Sequence, residues 1–159
     1  MRGILTRFAH SVLMAAFVLL PTQAHADEYR LAGGTWDMMA FVDIEKIEVD
    51  GNYKIAPLLL IFDPADSEFK YGDVVVRYDC SERTAQVMSE SYYGHDDSLQ
   101  KQFGRQEVNT PPEKSSGWFM LNAICDGTAQ PVPYNPGRER LFSFVLNTFE
   151  QMNSREQPK

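Results

Sequence analysis

The amino-acid sequence predicts an α+β domain: mainly antiparallel β-sheet, with a short helix before the second cysteine, a C-terminal amphipathic helix and one disulfide. Three observations predict it. Extended runs broken by turn residues fill residues 35–93, several with apolar side chains at every second position. Two later runs repeat apolar residues at three- and four-residue steps instead, the spacing of a helix face. The cysteines, Cys80 and Cys125, are two in number, and an even count reads as a bond wherever the compartment is oxidising.

Such a compartment is expected from the start of the chain. Met1 to Ala26 has the three parts of a cleavable signal peptide: basic Arg2 and Arg7, an apolar stretch from Ser11 to Leu20, and the small-residue exit Ala24-His25-Ala26. Pro21 ends the apolar stretch at about 10 residues, where a spanning helix needs roughly 20. Cleavage before Asp27 leaves 133 of the 159 residues, a length that suits a single domain, residues 27–159. Asp27 stands where a lipid-acceptor cysteine would be, so no membrane anchor is expected, and the destination is the periplasm or the exterior.

Thr35 to Val42 is apolar, aromatic and too short for a confident helix, so it reads as a strand with much of both faces covered. Ile44 to Val49 alternates, with Ile47 and Val49 on one face, and Asp50-Gly51-Asn52 turns the chain into a returning strand, Tyr53 to Phe62. Pro57 has no N–H for a central ladder and points to an edge or a bulge there. After the turn residues 63–67, period two places Val74, Val76, Tyr78 and Cys80 on a common, core-facing side. Thr84 to Tyr93 is the next strand, ended by Gly94-His95-Asp96-Asp97.

Asn109 to Gly117 is Pro- and Ser-rich loop. Trp118, Leu121, Ile124 and Cys125 then mark a short helix entered through Ser115 or Ser116 and stopped by Gly127. Beyond Pro131, Pro133 and Pro136, the residues Leu141, Phe142, Val145, Leu146 and Phe149 mark an amphipathic helix of about three turns, whose stripe should close the open face of the sheet. The tail from Asn153 to Lys159 has nothing apolar to bury and should fray.

Pairing of Cys80 with Cys125 closes a loop of about 45 residues, a constraint that stabilises by about 4 kcal/mol in the chain-entropy view. Two free or intermolecular thiols are the alternative. Without Arg2 and Arg7 the chain has 22 acids against 13 bases, a formal charge of −9, which disfavours nucleic acid and anionic lipid surfaces.

His10 and His25 leave with the signal, so any histidine chemistry falls on His95. Tyr92, Tyr93, Asp96 and Asp97 surround it, which is a polar hairpin tip more readily than a zinc set of three or four ligands. Asp63, Asp66, Glu68 and Asp73 lack the spacing of a calcium loop. No nucleophile elbow, phosphate-binding loop, dinucleotide fingerprint or C-x-x-C motif is present, so no cofactor is expected.

The order of short motifs carries a family likeness: Phe41-Val42-Asp43, Ile47 with a Gly-containing turn, Asp79-Cys80 followed by Arg83, Tyr92, and Cys125 closing a short helix. Over roughly Thr35 to Gly127 the chain resembles the surface-adhesin protein E family. The resemblance implies an antiparallel sheet with a helix, a bond between the two cysteines, and host-protein adhesion by a domain displayed on a lipid anchor, an anchor not expected here because Asp27 stands in place of the lipid-acceptor cysteine. It carries no binding residue across.

The first expectation is therefore an exported, non-enzymatic interaction domain of the cell envelope with a protein partner, for which Tyr92, Tyr93, His95 and Trp118 are the candidate binding residues. A second is a small-ligand carrier with an aromatic-lined pocket between sheet and C-terminal helix, near Trp118 and Phe142 to Phe144. A third, remoter, is a hydrolase that depends on His95.

Overall fold

The computed structural model describes residues 28–132 and 137–156, with the side chains of the last two left aside. The signal segment, Pro133, Pro136 and the last three residues lie outside the described residues. Eight strands are described: β1 (Tyr29–Gly34), β2 (Met38–Asp43), β3 (Glu48–Asp50), β4 (Tyr53–Phe62), β5 (Phe69–Asp79), β6 (Thr84–Gly94), β7 (Leu99–Phe103) and β8 (Gln130–Pro131). Two helices accompany them, α1 (Ser116–Cys125) and α2 (Arg138–Glu156). The strands form one sheet in the order β7-β6-β5-β4-β2-β1-β8, with β3 alongside the start of β4, and every pair runs antiparallel.

The fold class is as the sequence predicts, α+β on an antiparallel sheet, with Cys80 and Cys125 bonded and their Cα atoms 5.3 Å apart. Alternation along β5 buries Gly72, Val74, Val76 and Tyr78 on one side. The desolvation of Tyr78 pushes its phenol above the ordinary value. Gly51 takes a left-handed φ of 59° in the turn between β3 and β4, the conformation glycine adopts without a Cβ clash.

Several expectations change. The strand read from Thr35 begins at Met38, because Thr35 donates its N–H to the Met38 carbonyl in a tight turn after a strand, β1, that was not foreseen. Ile44–Lys46 is one turn of 3-10 helix, entered through the Asp43 side chain, so Ile47 and Val49 do not share a buried face; Ile47 packs on the core while Val49 is exposed. Pro57 lies on a central strand instead of an edge. It falls in the interval where β3 pairing (to Ile55) has stopped and β2 pairing (from Leu58) has not begun, a place on β4 without a neighbour on that side.

Both faces of the sheet are covered, and α2 closes one of them as its apolar stripe predicts. On one face α1 places Met120, Leu121, Ala123 and Ile124 against Ala32, Ala40, Val42, Ala56 and Leu58. On the other, α2 lays Leu141, Val145 and Phe149 over Phe41, Leu59 and Ile61. These are all deeply buried, and each large apolar side chain so placed contributes about 1.5 to 3 kcal/mol. At 19 residues α2 outruns the predicted three turns, and its end does not fray at Asn153, whose Nδ2 donates to the buried Asp63 carboxylate at 2.9 Å.

Candidate functional site

The α1 face carries the candidate site, and local irregularities in β6 build it. Val75 pairs with Ser89 but Val76 pairs with Val87, so Met88 is an extra residue, a β-bulge. Before the bulge Ala85 and Val87 face α1; after it the parity flips, and Glu90 and Tyr92 face α1. The bulge thus turns a carboxylate inward. Glu90 is 8% exposed, and its Oε2 accepts from the Tyr92 hydroxyl at 2.6 Å while Oε1 accepts from Gln106 Nε2. Burial first, and then the bond to Glu90 and its charge, push the Tyr92 phenol well above its ordinary range. The Tyr92 ring lies across Gly72, where a Cβ would come within 2.9 Å of it.

The loop after β7 frames the other side. Gln106 donates its N–H to the Val87 carbonyl, Ala85 and Asn109 exchange backbone bonds at 2.8 and 2.9 Å, and Gln86 Nε2 reaches the Gln106 carbonyl. Pro111 is buried, and Ser115 caps α1, accepting from the Trp118 N–H while donating to the Pro112 carbonyl at 2.7 Å. Between this loop and the sheet lies a recess of about 380 Å³, floored by Leu58, Leu60, Val74 and Val76 with Glu90 and Tyr92 at its polar end. Tyr92 continues into an aromatic group with Phe62, Phe69 and Phe103.

The α1 helix is anchored at its far end. Lys54 Nζ donates to the carbonyls of Ile124 and Cys125, and Arg83 bonds Asp126 and Asn122, so cations meet the negative end of the helix beside the disulfide.

The four residues singled out from the sequence do not converge. Tyr92 is in the recess. Tyr93 is on the opposite face, stacked on Tyr71 with ring centroids 4.5 Å apart, and Tyr71 in turn meets the edge of Phe142. His95 is exposed on the β6–β7 turn, its Nε2 3.2 Å from the Ser67 carbonyl. Its neighbours are engaged: Asp96 accepts from the Ser98 hydroxyl and amide, which lowers its pKa, and Asp97 pairs with Lys70. Trp118 is half-buried at the first turn of α1, edge-on to Phe119. Because Trp118 and Phe142 ride on helices of opposite faces, they line no common pocket; Phe144 is 40% exposed on α2.

Glu90 and Gln106 were not legible as site residues. The acids 63–73 also separate: Asp63 caps its own turn through the Ala65 N–H, Glu68 pairs with Lys101, and Asp73 pairs with Arg138. Among the described residues, no three His, Cys, Asp or Glu stand together as a metal site, and no helix is long and apolar enough to cross a membrane. The molecule is thus, by class, a disulfide-tied α+β domain with a helix on each face of one antiparallel sheet and a framed recess on one of them. Compared with family models, with curated proteins and with solved structures, the chain matches none.

Proposed function

We propose that this chain is an exported, non-catalytic binding domain of the surface-adhesin protein E type, working in the periplasm or outside the cell, with the α1 face as its binding side. The observation that carries the reading is the framed recess, a concavity of about 380 Å³ that joins an aliphatic floor to a few convergent polar groups, the composition of ligand sites in general. The motif order from Phe41 to Cys125 supports the family, and the disulfide is compatible with an oxidising compartment. A protein partner draws support from Trp36, 64% exposed in the turn between β1 and β2, since exposed aromatics are enriched at protein interfaces. A His95 hydrolase draws little: the acids flanking the imidazole are already engaged.

The test uses protein purified from its native envelope fraction. Its intact mass should begin at Asp27 and be two hydrogens light, and the immobilised protein should retain a protein or small molecule saturably. Saturable retention of nothing, or turnover of a substrate abolished by His95→Ala, would sink the reading.

A further inference from the structure

Glu90 is a buried carboxylate in apolar surroundings whose partners, the Tyr92 hydroxyl and the Gln106 amide, are both neutral. Ion pairs among the described residues include Arg30 with Glu28, Lys46 with Asp43, Lys70 with Asp97, Arg83 with Asp126, Lys101 with Glu68 and Arg138 with Asp73, and none of these reaches Glu90. A carboxylate offers about four acceptor positions, and two are used here. Buried charge is ordinarily met by an opposite charge, so this arrangement is incomplete from inside the protein. Beside the carboxylate lies the aliphatic floor of Leu58, Leu60, Val74 and Val76.

We propose that the recess takes a small primary amine with an apolar body, the ammonium donating to the open positions of Glu90 and the hydrocarbon lying on that floor. The proposal rests on the binding-domain reading and names the ligand class of its site. The match is one of chemistry at both ends. An ammonium brings three donors and the missing positive charge, and hydrogen bonds to a charged acceptor are among the stronger ones. The excess of 22 acids over 13 bases from Asp27 onward draws a cation toward the molecule from a distance. A volume of about 380 Å³ suits a small ligand. The framing is held in place without a ligand, because the Gln106 and Asn109 backbone bonds tie the loop to β6.

Three probes of equal hydrocarbon length test it by calorimetry on the disulfide-intact protein: n-hexylamine, 1-hexanol and hexanoate. Hexylamine is expected to bind saturably and about tenfold more tightly than hexanol, the difference a charge-assisted bond makes, with hexanoate weakest. Glu90→Gln keeps the shape of the side chain and should bring hexylamine down to the level of hexanol. Val87→Trp, which fills part of the recess and keeps the Glu90 carboxylate in the protein, should weaken both. Folding of each variant is read from its retained disulfide and near-ultraviolet circular dichroism. Equal affinity for the three probes, or hexylamine binding unchanged in Glu90→Gln, overturns the proposal. If no probe binds while the immobilised protein still retains a partner saturably, the assignment of this recess falls and the binding-domain reading stands.

Discussion

Beneath α2 the sheet presents Phe41, Leu59 and Ile61, and these meet Leu141, Val145 and Phe149; beneath α1 it presents Ala32, Ala40 and Ala56 beside Val42 and Leu58. The small residues let α1 sit close. A Cβ on Gly33 would come 3.3 Å from Met120 Cγ. Ten residues of helix span about 15 Å and 19 residues about 28 Å, so α1 covers less of its face, and the loop after β7 lies against β6 beside it. Covalent and polar ties hold the short helix: the disulfide, Lys54 on its last carbonyls and Arg83 on Asp126. Side-chain packing chiefly holds the long one. The face with the covalent fastening is also the face that carries the framed recess.

Breaking the packed face should have the largest effect. Phe149→Ala removes a fully buried ring and is expected to cost about 3 to 5 kcal/mol, with hydrogen exchange accelerated in α2 and the disulfide undisturbed. Removing the staple by replacing Cys80 and Cys125 together with alanine is expected to cost about 2 to 4 kcal/mol, and here exchange should accelerate in α1 first. Equal loosening of both helices in either variant would show that the two faces are one cooperative unit, not two differently held layers.

Smaller changes sharpen the contrast. Lys54→Met keeps most of the apolar stem but frees the carbonyls of Ile124 and Cys125, for an expected loss of about 1 to 2 kcal/mol in denaturant melts. The smallest effect is acid loosening of the turn that carries Cys80. The Ser81 hydroxyl, then the Glu82 and Ser81 amides, hold the exposed Asp79 carboxyl below its ordinary value. A depressed carboxyl contributes fully above the ordinary range near pH ~4 and loses that contribution as pH falls through the lowered value. Exchange of the Ser81 and Glu82 amides should therefore quicken, relative to the intrinsic rate, as pH falls below about 4, and Asp79→Ala should remove that dependence.

What the sequence made legible follows from how each element is buried. The long runs β4, β5 and β6 showed themselves because they lie centrally and carry apolar side chains, and α1 announced both ends through Ser115 and Gly127. Strand β7 did not, because Leu-Gln-Lys-Gln-Phe is exposed throughout and carries no burial pattern; β8, at two residues, has no room for one. Tyr29 to Gly34 ends in two glycines, which read as a break before a strand instead of the end of one. The site escaped for a sharper reason. Strict alternation through β6 sets Glu90 on the face opposite Val87, and only the extra residue at Met88 brings them together, an irregularity with no Gly or Pro to mark it. Tyr92 was picked out for lying near His95, yet the residue that gives it a role is Glu90.

The outermost strands have a bearing on crowding. Among the described residues, β7, β8 and β3 are the outer strands of the sheet, and they run to five, two and three residues. Lys101 sits in the middle of β7, Glu48 and Asp50 bracket β3, and Pro131 has no N–H to offer at the end of β8. An open edge is a template for a neighbour's strand in proportion to its length and flatness, and charge or proline blunts it. Short, charged or proline-bearing outer strands of this kind offer a neighbouring copy little length to pair with.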